Sequence, residues 1–255
     1  MTPYIKMRLA NKAAGEFRAE ANVIWLYDVI ASDDDEASWL GGVSPKQFIA
    51  ALASTSGPVT LRVNSPGGSV FGAQAMVAAM RAHAQPITVQ VDSLAASAAS
   101  VIAAEAAKLV MVPGAMLMIH KAWAMAVGNE ADMRQLADLL STLDGQIAST
   151  YAACAGGDPA KFIDLMAAET WLTADQAKEL GLADEIVSEN LQRPAAQWNL
   201  SAYAKAPMAP EPAEAPAAPV ETDEPAETVE TPIAAPDMQA RRAREVAARL
   251  VATAI

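Results

Sequence analysis

The chain has 255 residues, of which 53% are hydrophobic and 19% are charged, so it can bury a sizeable core and is not disordered throughout. Its 30 acidic and 18 basic residues give a formal net charge of −12, which excludes broad binding to nucleic-acid phosphates. The single cysteine, Cys154, excludes an internal disulfide and a cysteine–zinc cluster.

Residues 1–14 lack the continuous apolar stretch of a secretory signal. The most hydrophobic stretch, residues 93–119, is interrupted by Glu105, Lys108 and Pro113, and falls short of the roughly 18 apolar residues of a membrane span. We therefore expect a cytoplasmic protein with no membrane partner.

Strand-like and helix-like patterns alternate through residues 1–205. Strands are predicted at residues 22–30, 59–63, 87–91, 108–112 and 116–120. Helices are predicted at residues 44–53, 70–84, 95–107 and 129–155. Ser44 is predicted to cap the first of these helices, with Pro45 as its first residue. Such alternation predicts an α/β fold with right-handed crossovers.

The composition changes after Lys205. From residue 206 to Asp237 there are eight prolines, eight acidic residues and no basic residue. A chain of this kind cannot bury enough apolar surface to fold. We therefore predict a globular domain at residues 1–205, a disordered linker at 206–236, and a short basic helix at 237–255 that carries four arginines.

Two side chains are candidates for nucleophilic catalysis. Ser97 follows the strand 87–91 and opens an apolar helix. At a helix start, the negative charge that develops during nucleophilic attack would meet unpaired backbone amides. Serine is also a common helix cap, which is the alternative interpretation. His120 ends the strand 116–120, where it can act as a general base or pack as an ordinary rim histidine. His83 lies at a helix end, where a cation simply stabilises the terminus, so it is assigned no chemistry.

The segment Asn64-Ser65-Pro66-Gly67-Gly68 follows the strand 59–63. Its two glycines allow the backbone to turn and to approach a ligand closely. The glycine patterns of nucleotide-binding loops are missing, so no nucleotide, cofactor or metal site is predicted.

Ala95-Ala96-Ser97-Ala98-Ala99-Ser100 follows this glycine loop, and Met118-Ile119-His120 and Glu169-Thr170-Trp171 come later in the chain. This order resembles the Clp protease proteolytic subunit (ClpP) family of self-compartmentalising serine peptidases, from about residue 23 to residue 187. The resemblance implies the spiral of β-β-α units that this family shares with crotonases.

The resemblance also implies site residues. Ser97 matches the family's nucleophile, His120 its general base, and Gly68 and Ala98 the two amides of its oxyanion hole. The third triad position holds Glu169 where the family usually has aspartate, and Asp164 and Asp175 are the alternatives. Substrate is expected to pair as an added β-strand with two segments of the chain: Gly68, Ser69, Val70 and Phe71 on one side, and Trp123, Ala124, Met125 and Ala126 on the other.

A narrower resemblance, to phage and prophage head-maturation proteases, comes from Trp39-Leu40-Gly41-Gly42-Val43-Ser44 and from the C-terminal extension. It implies capsid or scaffold proteins as partners. The wider family implies a homo-oligomer of stacked rings, protein or peptide substrates, and an AAA+ unfoldase. Three alternatives stay open: a housekeeping proteolytic subunit, a crotonase-like acyl-CoA enzyme, and a non-catalytic assembly protein.

Overall fold

A computed structural model describes residues 3–187 and 198–207 of the chain. Apart from residues 206 and 207, the predicted linker and terminal helix lie outside the described residues. Helices and strands follow in this order: α1 Pro3–Asn11, β1 Glu16–Glu20, β2 Val23–Tyr27, α2 Asp34–Leu40, α3 Pro45–Ala53, β3 Val59–Ser65, α4 Val70–Ala82, β4 Ile87–Ala96, α5 Ala98–Ala104, β5 Lys108–Met111, β6 Met116–Ile119, α6 Glu130–Ala155, α7 Pro159–Ala167, β7 Thr170–Thr173, α8 Ala174–Glu179 and β8 Glu185–Ile186.

The described residues group into two compact units. The main unit contains residues 3–123, 139–187 and 198–207, and the second contains residues 124–138. In the second unit the chain has no regular structure until α6 begins, and Asn129 caps that helix by accepting from the amides of Ala131 and Asp132 at 2.8 and 3.2 Å. The predicted α/β class is confirmed by the main unit.

The main unit is built on one sheet, in which β2, β3, β4, β5 and β8 run parallel and β1 pairs antiparallel with β2. β4 changes partner along its length. Its first part pairs with β5 and its last part, from Leu94 to Ala96, pairs with Met116 to Met118 of β6. β7 then pairs antiparallel with β6. The carboxyl ends of β4 and β6 consequently lie side by side.

Apolar side chains from both faces of the sheet and from the inner faces of the helices form the core. α3 begins as predicted: Ser44 caps it, Pro45 is its first residue, and Ser44 and Gln47 form a reciprocal capping box. Within the described ranges, none of the helices combines the length and the apolar character that a membrane span needs.

Two boundaries differ from the prediction. The helix predicted at residues 95–107 spans only Ala98–Ala104, because β4 continues to Ala96. The strand predicted at residues 22–30 ends at Tyr27, after which Ile30 forms isolated bridges with Val43 and Gly68. No range was predicted for the helices α1, α2, α7 and α8 or for the strands β1, β7 and β8.

Candidate active site

Ser97 and His120 lie beside each other where two paired strands end. The register pairs Ala96 with Met118, so the chain leaves β4 and β6 at the same edge of the sheet. His120 Nε2 lies 2.7 Å from Ser97 Oγ. A hydroxyl that donates to this nitrogen places the proton of the neutral ring on Nδ1. This is the contact that a serine nucleophile and its general base require.

The backbone of Ser97 has a conformation that L residues rarely adopt, with φ +53° and ψ −124°. Its N–H donates to Met118 O at 2.9 Å, and its carbonyl accepts from Ser100 Oγ at 2.6 Å. Ser100 Oγ also lies 2.8 Å from the buried hydroxyl of Tyr151 on α6. Although Ser97 precedes α5, its side chain makes no capping hydrogen bond. Its hydroxyl therefore serves the contact with the imidazole and not the helix.

The loop between β3 and α4 brings two glycines against this serine. Gly67 and Gly68 have φ values of +90° and +145°, which favour glycine. A Cβ on Gly67 would lie 2.5 Å from Ala96 O and 2.8 Å from Ser97 Cβ, and a Cβ on Gly68 would lie 2.1 Å from Ile30 O. Only glycine allows the loop to approach the serine this closely.

The amides of Gly68 and Ala98 are the two predicted oxyanion donors. Ile30 N donates to Gly67 O and Ile30 O accepts from Ser69 N, both at 2.9 Å, so the bridge uses the groups on either side of the Gly68 amide. The Gly68 amide therefore faces away from this bridge. Ala98 is the first residue of α5, where an amide has no acceptor inside the helix. Neither amide donates a hydrogen bond within the part of the chain that the structure describes, so both are available to a ligand.

Glu169, directly before β7, is the candidate triad acid. Its Oε2 accepts from Ala204 N at 2.9 Å, and its Oε1 accepts from Lys205 N at 2.5 Å and from Trp171 Nε1 at 3.2 Å. Burial would raise the pKa of Glu169, but these three hydrogen bonds and the nearby His120 outweigh burial and lower the pKa. Glu169 is therefore held as a carboxylate.

Two carboxylates act on the His120 ring. Burial lowers the pKa of His120, and the charges of Glu169 and Asp144 oppose that shift. Asp144 is buried on α6, accepts from Ala122 N at 2.8 Å and lies 3.9 Å from Lys121 Nζ. No hydrogen bond joins either carboxylate to the ring within the described residues. Both carboxylates act on the imidazole through charge. Burial favours the neutral ring as a base, and the two negative charges stabilise the imidazolium once the ring takes up a proton.

The two alternative acids lie elsewhere. Asp164 is exposed on α7, and Asp175 is exposed in the first turn of α8. Neither is among the charges that shift the pKa of His120. The geometry therefore favours Glu169 over both. Asp144 was not among the predicted site residues; its only signal in the sequence is that it is an acidic residue on the apolar side of the predicted helix 129–155.

On the first predicted side of the substrate, the chain turns from the glycine loop into α4. Ser69 caps α4, its Oγ accepting from Gly72 N at 3.0 Å, and Val70 and Phe71 form the first turn of the helix. Because the amides of a first helical turn have no acceptor inside the helix, the pairing of substrate with Gly68, Ser69, Val70 and Phe71 stays a prediction.

On the other predicted side, residues 121–127 form neither helix nor strand. Trp123 lies in the main unit and is 44% exposed. Ala124, Met125 and Ala126 lie in the second unit, and their pairing with substrate stays a prediction. His83, which was assigned no chemistry, caps the C-terminus of α4 and lies 3.0 Å from Thr55 Oγ1.

Tyr203 is a second residue of the site that was not predicted. Its ring meets the His120 ring edge-on, with centroids 5.4 Å apart and an interplanar angle of 89°, and its hydroxyl donates to Pro66 O. No motif surrounds this tyrosine, and it follows His120 at a long distance in the sequence. Composition alone could have pointed to it, because Trp198 and Tyr203 are aromatic residues immediately before the Pro-rich segment.

Comparison with known proteins gives consistent matches. A family model described as Clp protease matches residues 42–190. The ATP-dependent Clp protease proteolytic subunit 1 of Protochlamydia amoebophila is 27% identical over 165 residues, covering 63% of this chain and 80% of that protein. The corresponding subunit 1 of Chlamydia abortus is 30% identical and covers 56% and 76%, and subunit 3 of Streptomyces coelicolor is 31% identical and covers 54% and 65%.

Proposed function

This chain belongs to the Clp protease family, and we propose that Ser97, His120 and Glu169 carry its serine-type endopeptidase activity. The observation that carries the proposal is the 2.7 Å contact between His120 Nε2 and Ser97 Oγ, made by a serine whose side chain caps no helix. The available amides of Gly68 and Ala98 support the same assignment.

In the proposed mechanism, Ser97 Oγ attacks the peptide carbonyl while His120 Nε2 takes up the hydroxyl proton. The amides of Gly68 and Ala98 donate to the oxyanion that forms. The imidazolium, stabilised by the charges of Glu169 and Asp144, returns the proton to the leaving amine. Water then hydrolyses the acyl-enzyme, with the imidazole again as the base.

Fluorophosphonate labelling tests this assignment. We expect one label, on Ser97, and no label on the Ser97→Ala variant. Peptide hydrolysis by that variant should fall by a factor on the order of 10⁴–10⁶ in kcat. Ser149→Ala is the matched control, because Ser149 is exposed and bonds Gly145 O within α6. A Ser97→Ala variant that keeps more than a few per cent of the peptidase activity contradicts the assignment.

The same experiment separates the other functions. A crotonase-like enzyme would turn over acyl-CoA thioesters without needing the Ser97 hydroxyl. A non-catalytic assembly protein would take up no label. For a peptidase, label and hydrolysis are lost together.

We further propose that the substrate is a capsid or scaffold protein and that the enzyme works in phage head maturation. The support is the Pro/Ala/Glu-rich segment followed by four arginines, together with the segment Trp39 to Ser44. The second candidate role, in general turnover with an AAA+ unfoldase, is favoured by the relatives, which are named ATP-dependent proteolytic subunits. Both roles imply a homo-oligomeric ring.

Cleavage assays distinguish these two roles. A maturation protease should process a co-expressed capsid or scaffold protein without ATP. A turnover subunit should degrade folded substrates only when ATP and an unfoldase are added. Degradation that depends strictly on the unfoldase would contradict the maturation role.

A further inference from the structure

Residues 198–207, named the strap here, pack onto the candidate site although they come last among the described residues. Trp198 Nε1 donates to Asn64 Oδ1 at 2.9 Å. Asn199 and Asn11 exchange two hydrogen bonds, at 3.0 and 2.8 Å, which fix the strap to the end of α1. Apolar residues of the strap also pack against Met7, Leu94, Ala96 and Met118 in a separate buried cluster. The strap is therefore an integral part of the main unit.

Tyr203 of the strap joins two parts of the site. Only 9% of the residue is exposed, and its ring packs edge-on against both His120 and Trp171. Its hydroxyl donates to Pro66 O, directly before the two glycines. An edge-on ring restricts rotation of the imidazole, and the hydroxyl fixes the loop whose Gly68 amide faces the oxyanion.

The end of the strap holds the acid. The amides of Ala204 and Lys205 donate to the two carboxylate oxygens of Glu169, and Lys205 Nζ bonds the neighbouring carbonyl of Ala168. Glu169 has φ +47°, a backbone conformation that needs support from its surroundings. The base, the acid and the glycine loop are thus all fixed by one short segment.

We propose that the strap is a positioning element of the peptidase and that Tyr203 is its principal positioning residue. This inference rests on the proposed function. Tyr203 acts through His120 and Pro66 and needs no contact with the reacting atoms. Its role is to hold the imidazole and the oxyanion loop in one arrangement, since a displacement of about 1 Å can cost about 100-fold in rate.

Removal of the Tyr203 ring should also change the pH dependence of labelling. The groups that face His120 are Glu169 before β7, Asp144 on α6, Tyr203 of the strap and the Ser97 hydroxyl; Lys121 is its neighbour in the chain. Burial is the main cause of the lowered pKa of His120. Removing the Tyr203 ring admits water, so the pKa of His120 should rise toward its ordinary value.

The test uses the full-length chain and the rate at which fluorophosphonate labels Ser97. Tyr203→Phe keeps the ring and loses the bond to Pro66 O, so labelling should slow by about 3- to 10-fold with no shift in its pH profile. Tyr203→Ala should slow labelling by about 10- to 100-fold. It should also move the acidic limb of the pH profile to higher pH, because a raised pKa of His120 means that the ring is already protonated, and inactive as a base, at a higher pH. Tyr27→Phe is the matched control, since the Tyr27 hydroxyl bonds Asp92.

Circular dichroism and oligomer size establish that each variant is folded. A folded Tyr203→Ala variant with an unchanged labelling rate and pH profile would overturn the proposal. Should Tyr203→Ala fail to fold, Tyr203→Phe decides, and labelling as fast as in the control would also overturn it. If the unmodified protein does not label at Ser97, the proposed function fails instead, so the two failures are distinguishable.

Discussion

At the scale of single residues, the candidate nucleophile has an unfavourable backbone conformation. A residue such as Ser97, at φ +53°, costs about 1–3 kcal/mol relative to a relaxed conformation. Two hydrogen bonds, to Met118 O and from Ser100 Oγ, hold it there. A relaxed serine would turn its hydroxyl toward the amides of α5 and act as a helix cap. The strained backbone thus presents the hydroxyl to His120.

We predict that Gly67→Ala abolishes labelling of Ser97. Its new Cβ would lie 2.5 Å from Ala96 O and 2.8 Å from Ser97 Cβ, and position 67 has φ +90°. Gly145→Ala is the matched control, because the exposed Gly145 lies within α6 and its Cβ would meet nothing within 4 Å. The control should be more stable than the unmodified chain by about 0.5–1 kcal/mol in thermal unfolding. A Gly67→Ala variant that labels normally would show that the loop does not need its close approach.

We predict that Glu169→Gln lowers kcat by far more than Asp164→Asn or Asp175→Asn, because a neutral amide does not stabilise the imidazolium. In one well-studied triad, replacing the carboxylate by an amide lowers kcat by about 10⁴-fold. The variant should also shift the pH profile. The charge of Glu169 raises the pKa of His120 against the effect of burial. Without that charge the pKa falls further, so the acidic limb of the labelling rate should move to lower pH. A larger loss with Asp164→Asn would reassign the acid.

The candidate site could be predicted at residues that lie in motifs. Ser97 and His120 follow apolar strands, and the chain order of the two strands places their ends together. The roles of Tyr203 and Asp144 at the site could not be predicted, because they depend on long-range packing. Asp144 reaches the site only because α6 packs beside Ala122, and Tyr203 only because the strap returns to α1.

At the scale of elements, the partner change of β4 explains both a correct prediction and an incorrect one. Ile87 to Val91 alternates as a buried strand should, and the strand was predicted there. The following residues, Asp92 to Ala96, are small or polar apart from Leu94, and a helix was predicted from Ala95 onward. They are extended because β6 pairs with Leu94, Ala95 and Ala96. Pairing with a strand some 20 residues later cannot be read from local composition.

Helix α6 is tied to the nucleophile through one buried contact. The Tyr151 hydroxyl lies 2.8 Å from Ser100 Oγ, which bonds the Ser97 carbonyl. We predict that Tyr151→Phe lowers the free energy of unfolding by about 0.5–1.5 kcal/mol, the worth of one hydrogen bond. It should also slow labelling of Ser97, because the strained carbonyl loses part of its support. Equal labelling rates in the variant and the unmodified chain would show that Ser100 alone is sufficient.

At the scale of the whole molecule, the acidic and proline-rich sequence after the strap differs from everything before it. The described chain reaches Pro207 with its hydrogen bonds to Glu169 in place. The disordered linker that the sequence predicts for residues 206–236 would, at roughly 5–6 Å × √n, have a reach of about 30 Å. We infer that residues 208–255 serve recognition of an assembly partner and not catalysis.

We predict that truncation after Pro207 leaves the labelling rate and the oligomer size unchanged, because the strap is kept. Processing of a co-expressed capsid or scaffold protein should be lost. The matched control ends at residue 197 and should label slowly or not at all, since it lacks the strap. A chain ending at Pro207 that still processes its partner normally would refute a recognition role for the tail.

The place of the strap in the chain has a consequence for when the enzyme becomes active during synthesis. Ser97 and His120 leave the ribosome long before Tyr203, and at roughly 5–20 residues per second the interval lasts about 5–20 s. Throughout this interval the nascent chain carries a nucleophile and a base without the segment that holds them in place. On the proposed role of the strap, an unfinished chain cannot yet cleave its own copies or neighbouring nascent chains at the rate of the finished enzyme.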